Sequence, residues 1–208
     1  MYAFLRLGIV CLIGAATAQA TVIGGTSATQ PLPYNGFNTY AYIFGGSPNR
    51  QLAVPFTPAA GFDYILSSGS VPLRSFGPTA VQVDIYDTFG INPGTKLAGF
   101  SAPTVADFTY HLISGTFSGS TILHGGQQYF FYVSAPTGSG QVDWAGASPN
   151  QPATIYYQGG STGWNHAQSF SSPAFQVVAL SASAPEPGTI LLLGAGVVLL
   201  LVGRTLKP

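Results

Sequence analysis

Charged side chains are scarce in this 208-residue chain: six Lys and Arg stand against six Asp and Glu, 6% of the sequence, for a formal net charge of zero. Soluble domains ordinarily give about a quarter of their residues to these four types. Between residues 21 and 184 the charges are Arg50, Arg74 and Lys96 against Asp63, Asp84, Asp87, Asp107 and Asp143, with no glutamate. Such a body has no basic surface for nucleic acid or acidic lipid, so no nucleic-acid partner is expected. Cysteine is nearly absent. The single residue, Cys11, rules out an intrachain disulfide, and its Gly-Ile-Val-Cys context does not match a lipoprotein signal. A domain of this size can be exported without disulfides. Also missing from the body is any long segment with the 3.6-residue apolar period of an amphipathic helix.

The elements of hydrolytic chemistry are thin as well. Such chemistry calls for paired carboxylates, a Ser/His/Asp set or a metal cluster. The five aspartates are scattered, and Asp84 and Asp87, three apart, are expected to leave opposite faces of one strand. His111, His124 and His166 are too widely spaced for a metal motif and are expected on the surface or in loops. There is no Gly-x-Ser-x-Gly elbow and no phosphate loop. No catalytic residue is assigned. Asp84, Asp87 and Asp143 are the candidates for a structural calcium ion, although the chain has no D-x-D-x-D-G run. No other metal or cofactor is implied.

What is present sits first at the two ends. Residues 1–20, MYAFLRLGIVCLIGAATAQA, form a secretory signal pattern: Arg6 in the n-region, an apolar core from Leu7 to Ala16, and the small residues Ala18 and Ala20 at the cleavage site. The mature chain is expected to begin near Thr21. An N-terminal membrane anchor is the alternative, and the short apolar core argues against it. At the other end, Pro185-Glu186-Pro187 is stiff and extended, Gly188 to Gly203 carries no charge, and Arg204 and Lys207 close the chain. Basic residues resist translocation, so this order suits a single transmembrane helix with a cytoplasmic C-terminus. Sixteen apolar residues reach roughly 24 Å against a hydrocarbon core of about 30 Å, and snorkelling of Arg204 and Lys207 narrows the gap. A buried C-terminal helix of a soluble domain is the other reading.

This tail resembles the PEP-CTERM sorting signal of exported Gram-negative bacterial proteins: Pro185-Glu186-Pro187-Gly188, an apolar helix, then basic residues. The resemblance covers about twenty-five residues. It implies recognition by an exosortase-type membrane protease, transient residence in the inner membrane, and transfer to the cell surface or the extracellular polysaccharide matrix. The family usually ends in a dense arginine cluster, whereas Thr205 and Leu206 here separate only two basic residues.

The body, residues 21–182, reads as one all-β domain ahead of the sorting signal at 183–208. Short runs of Val, Ile, Phe, Tyr and Thr are separated by Gly and Pro, of which the chain holds 27 and 16. That pattern marks a two-sheet sandwich or barrel. Nine to eleven strands are expected. They include Gln51–Phe56, Phe62–Ser67, Thr79–Asp87, Leu97–Phe100, Ala106–Ile113, Gln128–Ser134, Gln141–Ala145, Thr154–Tyr157 and Phe175–Leu180. Asn92-Pro93-Gly94-Thr95 reads as a turn, and Ser181 to Ala184 as a linker. Phe108, Tyr110 and Leu112 are expected to face inward. Gln128–Ser134, aromatic on both faces, is expected at the centre of a sheet.

The segments Val54-Pro55-Phe56-Thr57-Pro58, Val81 to Asp87, Asn92-Pro93-Gly94, Gly126 to Phe131, Gly159-Gly160, Trp164 and Pro173 to Val177 occur in an order similar to the choice-of-anchor domains that often precede such tails. That resemblance implies a jelly-roll-like β-sandwich and carries no assigned chemistry.

Trp144, Tyr156, Tyr157 and Trp164 lie in a stretch rich in Gly, Ser, Asn and Gln. Flat apolar faces beside amide donors suit sugar rings. Trp144, Tyr156 and Trp164 are therefore the candidate glycan-binding residues. The alternative puts Trp144 and Tyr156 in the core and Trp164 over a sheet edge. Three functions follow: a structural or adhesive surface protein, a carbohydrate-binding module, and, with least support, a secreted hydrolase.

Overall fold

A computed structural model describes residues 20–25, 42–44, 50–77, 79–104, 107, 109–135, 141–146, 153–159, 163–169 and 172–182. The expected N-terminal signal helix apart from Ala20, the expected transmembrane helix, and the residues read as a sorting signal, Pro185, Glu186, Pro187, Arg204 and Lys207, lie outside these residues, as does Ala18. Among the described residues no helix is long and apolar enough to cross a membrane.

The described chain is all-β, in two antiparallel sheets. In order the strands are β1 (Ala20–Gly25), β2 (Tyr42–Phe44), β3 (Arg50–Phe56), β4 (Asp63–Ser75), β5 (Ala80–Phe89), β6 (Asn92–Pro103), β7 (His111–Thr116), β8 (Ile122–His124), β9 (Tyr129–Ser134), β10 (Val142–Trp144), β11 (Ala153–Gly159), β12 (Asn165–Ser169) and β13 (Gln176–Ala182). One sheet runs β12-β11-β3-β9-β5-β6. The other is organised along β4, which pairs with β13 and β10 on one side and with β7 and β8 on the other; β1 extends it beyond β13 and β2 beyond β10. Alternate residues of both sheets point into a shared core. Leu52, Val54, Val81, Val83, Ile85, Phe131 and Val133 come from the six-stranded sheet, and Leu66, Val71, Leu73, Val142, Trp144 and Val177 from the other. Phe131 stacks on Phe175 at 4.7 Å and lies 5.9 Å from Trp144, which ties the two sheets together.

Several expectations are corrected. The strand read as Phe62–Ser67 runs on to Ser75, through Ser68-Gly69-Ser70. Those residues look like a turn, but the space a Cβ would take at Gly69 is filled by the Phe117 ring, whose Cζ lies 2.8 Å away, so this glycine is a packing residue. The turn expected at Asn92–Thr95 lies three residues earlier, at Phe89–Asn92. Phe89 pairs with Asn92, and Gly90, at φ 64°, is the first of the two loop residues, the position a type II′ hairpin reserves for glycine. Pro93 and Gly94 belong to β6, an edge strand that does not need the proline's missing N–H. Strand β7 presents the opposite face from that expected: Leu112 is 52% exposed and Ile113 only 7%. Ser181 and Ala182 continue β13 instead of starting a linker. β1, β8 and β12 are strands that the pattern did not reveal.

Candidate functional site

β9 is the place to start. It lies between β3 and β5, and Tyr129, Phe130, Phe131, Tyr132 and Val133 are all buried. Odd-numbered residues enter the main core, while Phe130 and Tyr132 face away from it and found a second cluster with Ala53 and Tyr156, onto which Tyr86 and Trp164 pack. The strand register explains the gathering. His166, Tyr156, Ala53, Tyr132, Asp84 and Gly99 are successive Cα partners across β12, β11, β3, β9, β5 and β6. Residues paired in this way share a face of the sheet. One row of side chains thus crosses the whole outer face, and Phe130 and Tyr86 form the next pair along it.

Two of the ring pairs, Tyr132 with Trp164 and Phe130 with Tyr156, pack edge to face, and the other two are tilted. Tyr86 and Tyr132 have centroids 5.0 Å apart, Tyr132 and Trp164 5.9 Å, Phe130 and Tyr156 4.9 Å, and Tyr156 and His166 5.8 Å. Trp164 stands just before edge strand β12 yet reaches Tyr132 on β9. Of the two intervening strands, β11 and β3, the second contributes Ala53, the smallest side chain of the row. Tyr132 and Tyr156 are buried, while Tyr86 and Trp164 keep part of their surface. A ligand would therefore meet Tyr86 and Trp164.

Polar groups border this strip. Asp84 is buried over Gly99, where a Cβ would collide with its Oδ1. That oxygen accepts a hydrogen bond from Gln82 Nε2 at 2.7 Å and pairs with Lys96 Nζ at 2.8 Å. Burial pushes the Tyr132 hydroxyl up to about 12; the Ser134 hydrogen bond opposes the shift, and Tyr86 and Asp84 add to it. Burial, then the Asp84 charge, also raises Tyr86. Both phenols are neutral donors at ordinary pH. The strip combines apolar ring surface, two hydroxyls, a primary amide and a paired charge.

Of the three candidate glycan-binding residues, Tyr156 and Trp164 belong to this face, Tyr156 as a buried member of its cluster. Trp144 does not. It is fully buried on the inner side of β10, its Nε1 donating to the Ala174 carbonyl at 2.7 Å, so no ligand can reach it. Period-two alternation decides this, since Asp143 takes the outward side of β10. Tyr86 and Tyr132 were missed; the signal available was the alternation of their strands, without the register that joins them.

The carboxylates proposed for calcium are not brought together. Asp143 sits on the other sheet, held by Arg74 Nη2 at 2.5 Å and Gln141 Nε2 at 2.9 Å. Asp87 accepts from the Thr95 backbone N–H. Among the described residues no three His, Cys, Asp or Glu converge on a metal position.

Hydroxyl, imidazole and carboxylate do meet at Thr109, His111 and Asp107. The Thr109 hydroxyl and the Asp107 carboxylate both contact the same ring nitrogen, His111 Nε2, at 2.8 Å. A catalytic triad places them on opposite nitrogens so that the ring can pass a proton along. Here Thr109 also donates to Asp107 at 2.7 Å. These bonds hold the Asp107 carboxyl down at about 2, the Thr109 side chain contributing most. The arrangement is therefore not that of a triad.

No protein-family model matches the chain, and no curated protein matches its sequence.

Proposed function

We propose that the protein is exported and non-enzymatic, with a structural or adhesive role at the cell surface or in the extracellular polysaccharide matrix. The signal pattern, the PEP-CTERM-like tail and a body poor in charge support that address. The repeated crossing of the chain between two sheets supports a jelly-roll-like scaffold. The role itself rests on the outer face of the six-stranded sheet, where Tyr86 and Trp164 flank Tyr132 beside Gln82 and Lys96. Partly exposed rings next to a few polar groups make a surface suited to sugar polymers.

A second reading sharpens the first: the same face is a dedicated carbohydrate-binding site, with Tyr86 in the place first given to Trp144. Both readings are tested on the chain purified from its host. Its intact mass and cell fraction come first. A chain that starts near Thr21, ends near Pro185 to Pro187 and lies outside the inner membrane fits exosortase-type processing. One that still ends at Pro208 in the inner membrane rules out matrix release. Binding to host exopolysaccharide comes second. Trp164→Ala weakens a dedicated site by about tenfold, or 1.4 kcal/mol, with the circular dichroism spectrum unchanged. Binding that Trp164→Ala leaves intact places the sugar contact elsewhere.

A further inference from the structure

The sandwich has two poles, and one of them collects the exits of the chain. Ala182, the last residue of β13, pairs with Asp63 at the start of β4, and Ala20, the first residue of β1, pairs with Leu180. Three turns lie at this pole and are bonded together. Gly125 N donates to Phe62 O at 2.8 Å, Gly126 N to Pro58 O at 2.9 Å, and Thr88 Oγ1 to Gln128 O at 2.6 Å. The turns are residues 57–62, 89–92 and 125–128, and none contains a charged residue. Their tips carry the three most exposed large apolar side chains among the described residues: Phe89 at 80%, Ile91 at 62% and Phe62 at 57%. The nearby carboxylates are engaged, Asp63 with His124 and Asp87 with the Thr95 N–H.

Exposed aromatic and aliphatic tips on uncharged turns are costly in water and suited to the headgroup–acyl boundary, into which interfacial proteins bury Phe and aliphatic side chains. The sequence supplies the adjoining bilayer. The apolar run begins at Gly188, six residues beyond Ala182, a reach of roughly 20 Å at full extension. We propose that this pole is a membrane-docking surface, with Phe62, Phe89 and Ile91 entering the bilayer interface while the apolar tail keeps the chain membrane-bound. This rests on reading residues 188–203 as a membrane span. The ligand is a lipid surface recognised through apolar insertion and not through anionic headgroups, because the turns have no Lys or Arg.

The test uses the full chain with Cys11→Ser, reconstituted into phosphatidylethanolamine–phosphatidylglycerol vesicles. A single cysteine labelled with an environment-sensitive dye is placed in turn by Phe89→Cys, Ile91→Cys and Leu112→Cys. Leu112 is similarly exposed but pairs with Pro72, towards the opposite pole. Docking is read as a blue-shifted emission at 89 and 91, quenched severalfold more by doxyl-labelled lipid than at 112. Equal quenching at all three positions, with the chain resisting an alkaline wash, overturns the docking while the membrane span stands. A blue shift without lipid quenching means that copies of the chain cover the pole, which also overturns it. A chain removed by the wash overturns both the span and the docking.

Discussion

Asp143 and Arg74 are unequal partners, and the inequality sets which substitution is worse. They are direct cross-strand neighbours on β10 and β4. The Asp143 side chain is 2% exposed, whereas that of Arg74 is 26% exposed. The Arg74 guanidinium also stands about 5 Å from the rings of Phe76 and Tyr110. Its hydrogen bond to Asp143 raises its already high pKa, so it stays charged. Removing the cation leaves a buried carboxylate with Gln141 as its remaining side-chain donor; removing the carboxylate leaves a cation that water can reach. Arg74→Met is therefore expected to cost about 3 kcal/mol. Asp143→Asn costs about 1–2 kcal/mol. Urea midpoints at neutral pH decide it, and equal losses would remove the argument from burial.

Tyr132 makes the same kind of argument in pH. Its folded hydroxyl holds its proton up to about 12, against about 10 for an unfolded tyrosine. Below pH 10 both states are protonated and its contribution is complete. Between about 10 and 12 only the unfolded chain ionises, so stability falls as pH rises through that window. Tyr132→Phe flattens this alkaline limb. Some slope persists because Tyr86 is also raised. Parallel stability curves for the two proteins from pH 9 to 12 would assign the limb to other groups.

Within an element, the side a residue faces matters more than its hydrophobicity. β7 holds Leu112 and Ile113 side by side. Ile113 lies beside its cross-strand partner Val71 of β4 and is buried, while Leu112 points to solvent. Ile113→Ala is expected to cost about 2–4 kcal/mol through a cavity. Leu112→Ala should stay within about 0.5 kcal/mol. Thermal unfolding of the two variants reads the difference directly, and comparable losses would mean that β7 takes the other face. The sequence could not decide this, since two adjacent apolar residues fit either register. β3, β5, β9 and β13 were legible because each has an alternating or doubly apolar pattern against the core. β8 and β12 are too short or too polar to show one. The expected strand stopped at Ser67 because nothing local announces that Phe117 fills the empty side of Gly69. The outer-face site was half legible: composition pointed to Tyr156 and Trp164, but Tyr86 and Tyr132 meet them only through pairings between distant strands.

At the scale of the whole molecule, the topology ties the ends of the body together. β13 lies between β1 and β4, so the last strand of the body to be synthesised is the one the first strand needs. Val177 and Ala179 on it are fully buried, and Ile23 of β1 joins the same core. Such long-range pairing closes late, because the entropy of bringing distant segments together is met before the contacts repay it. A chain ending at residue 175 would lose these residues, leave β1 without its partner and open an unpaired edge on β4. The comparison is between chains ending at 182 and at 175. The first is expected to unfold cooperatively and give dispersed amide resonances. The second should be protease-sensitive and aggregation-prone. If the shorter chain also unfolds cooperatively within a few degrees of the longer one, β13 is an ornament on a sandwich that β4 and the six-stranded sheet complete alone. If it does not, the body stays unfolded until its C-terminal strand is in place, and the pairing of Thr21 with Ala179 cannot form before then.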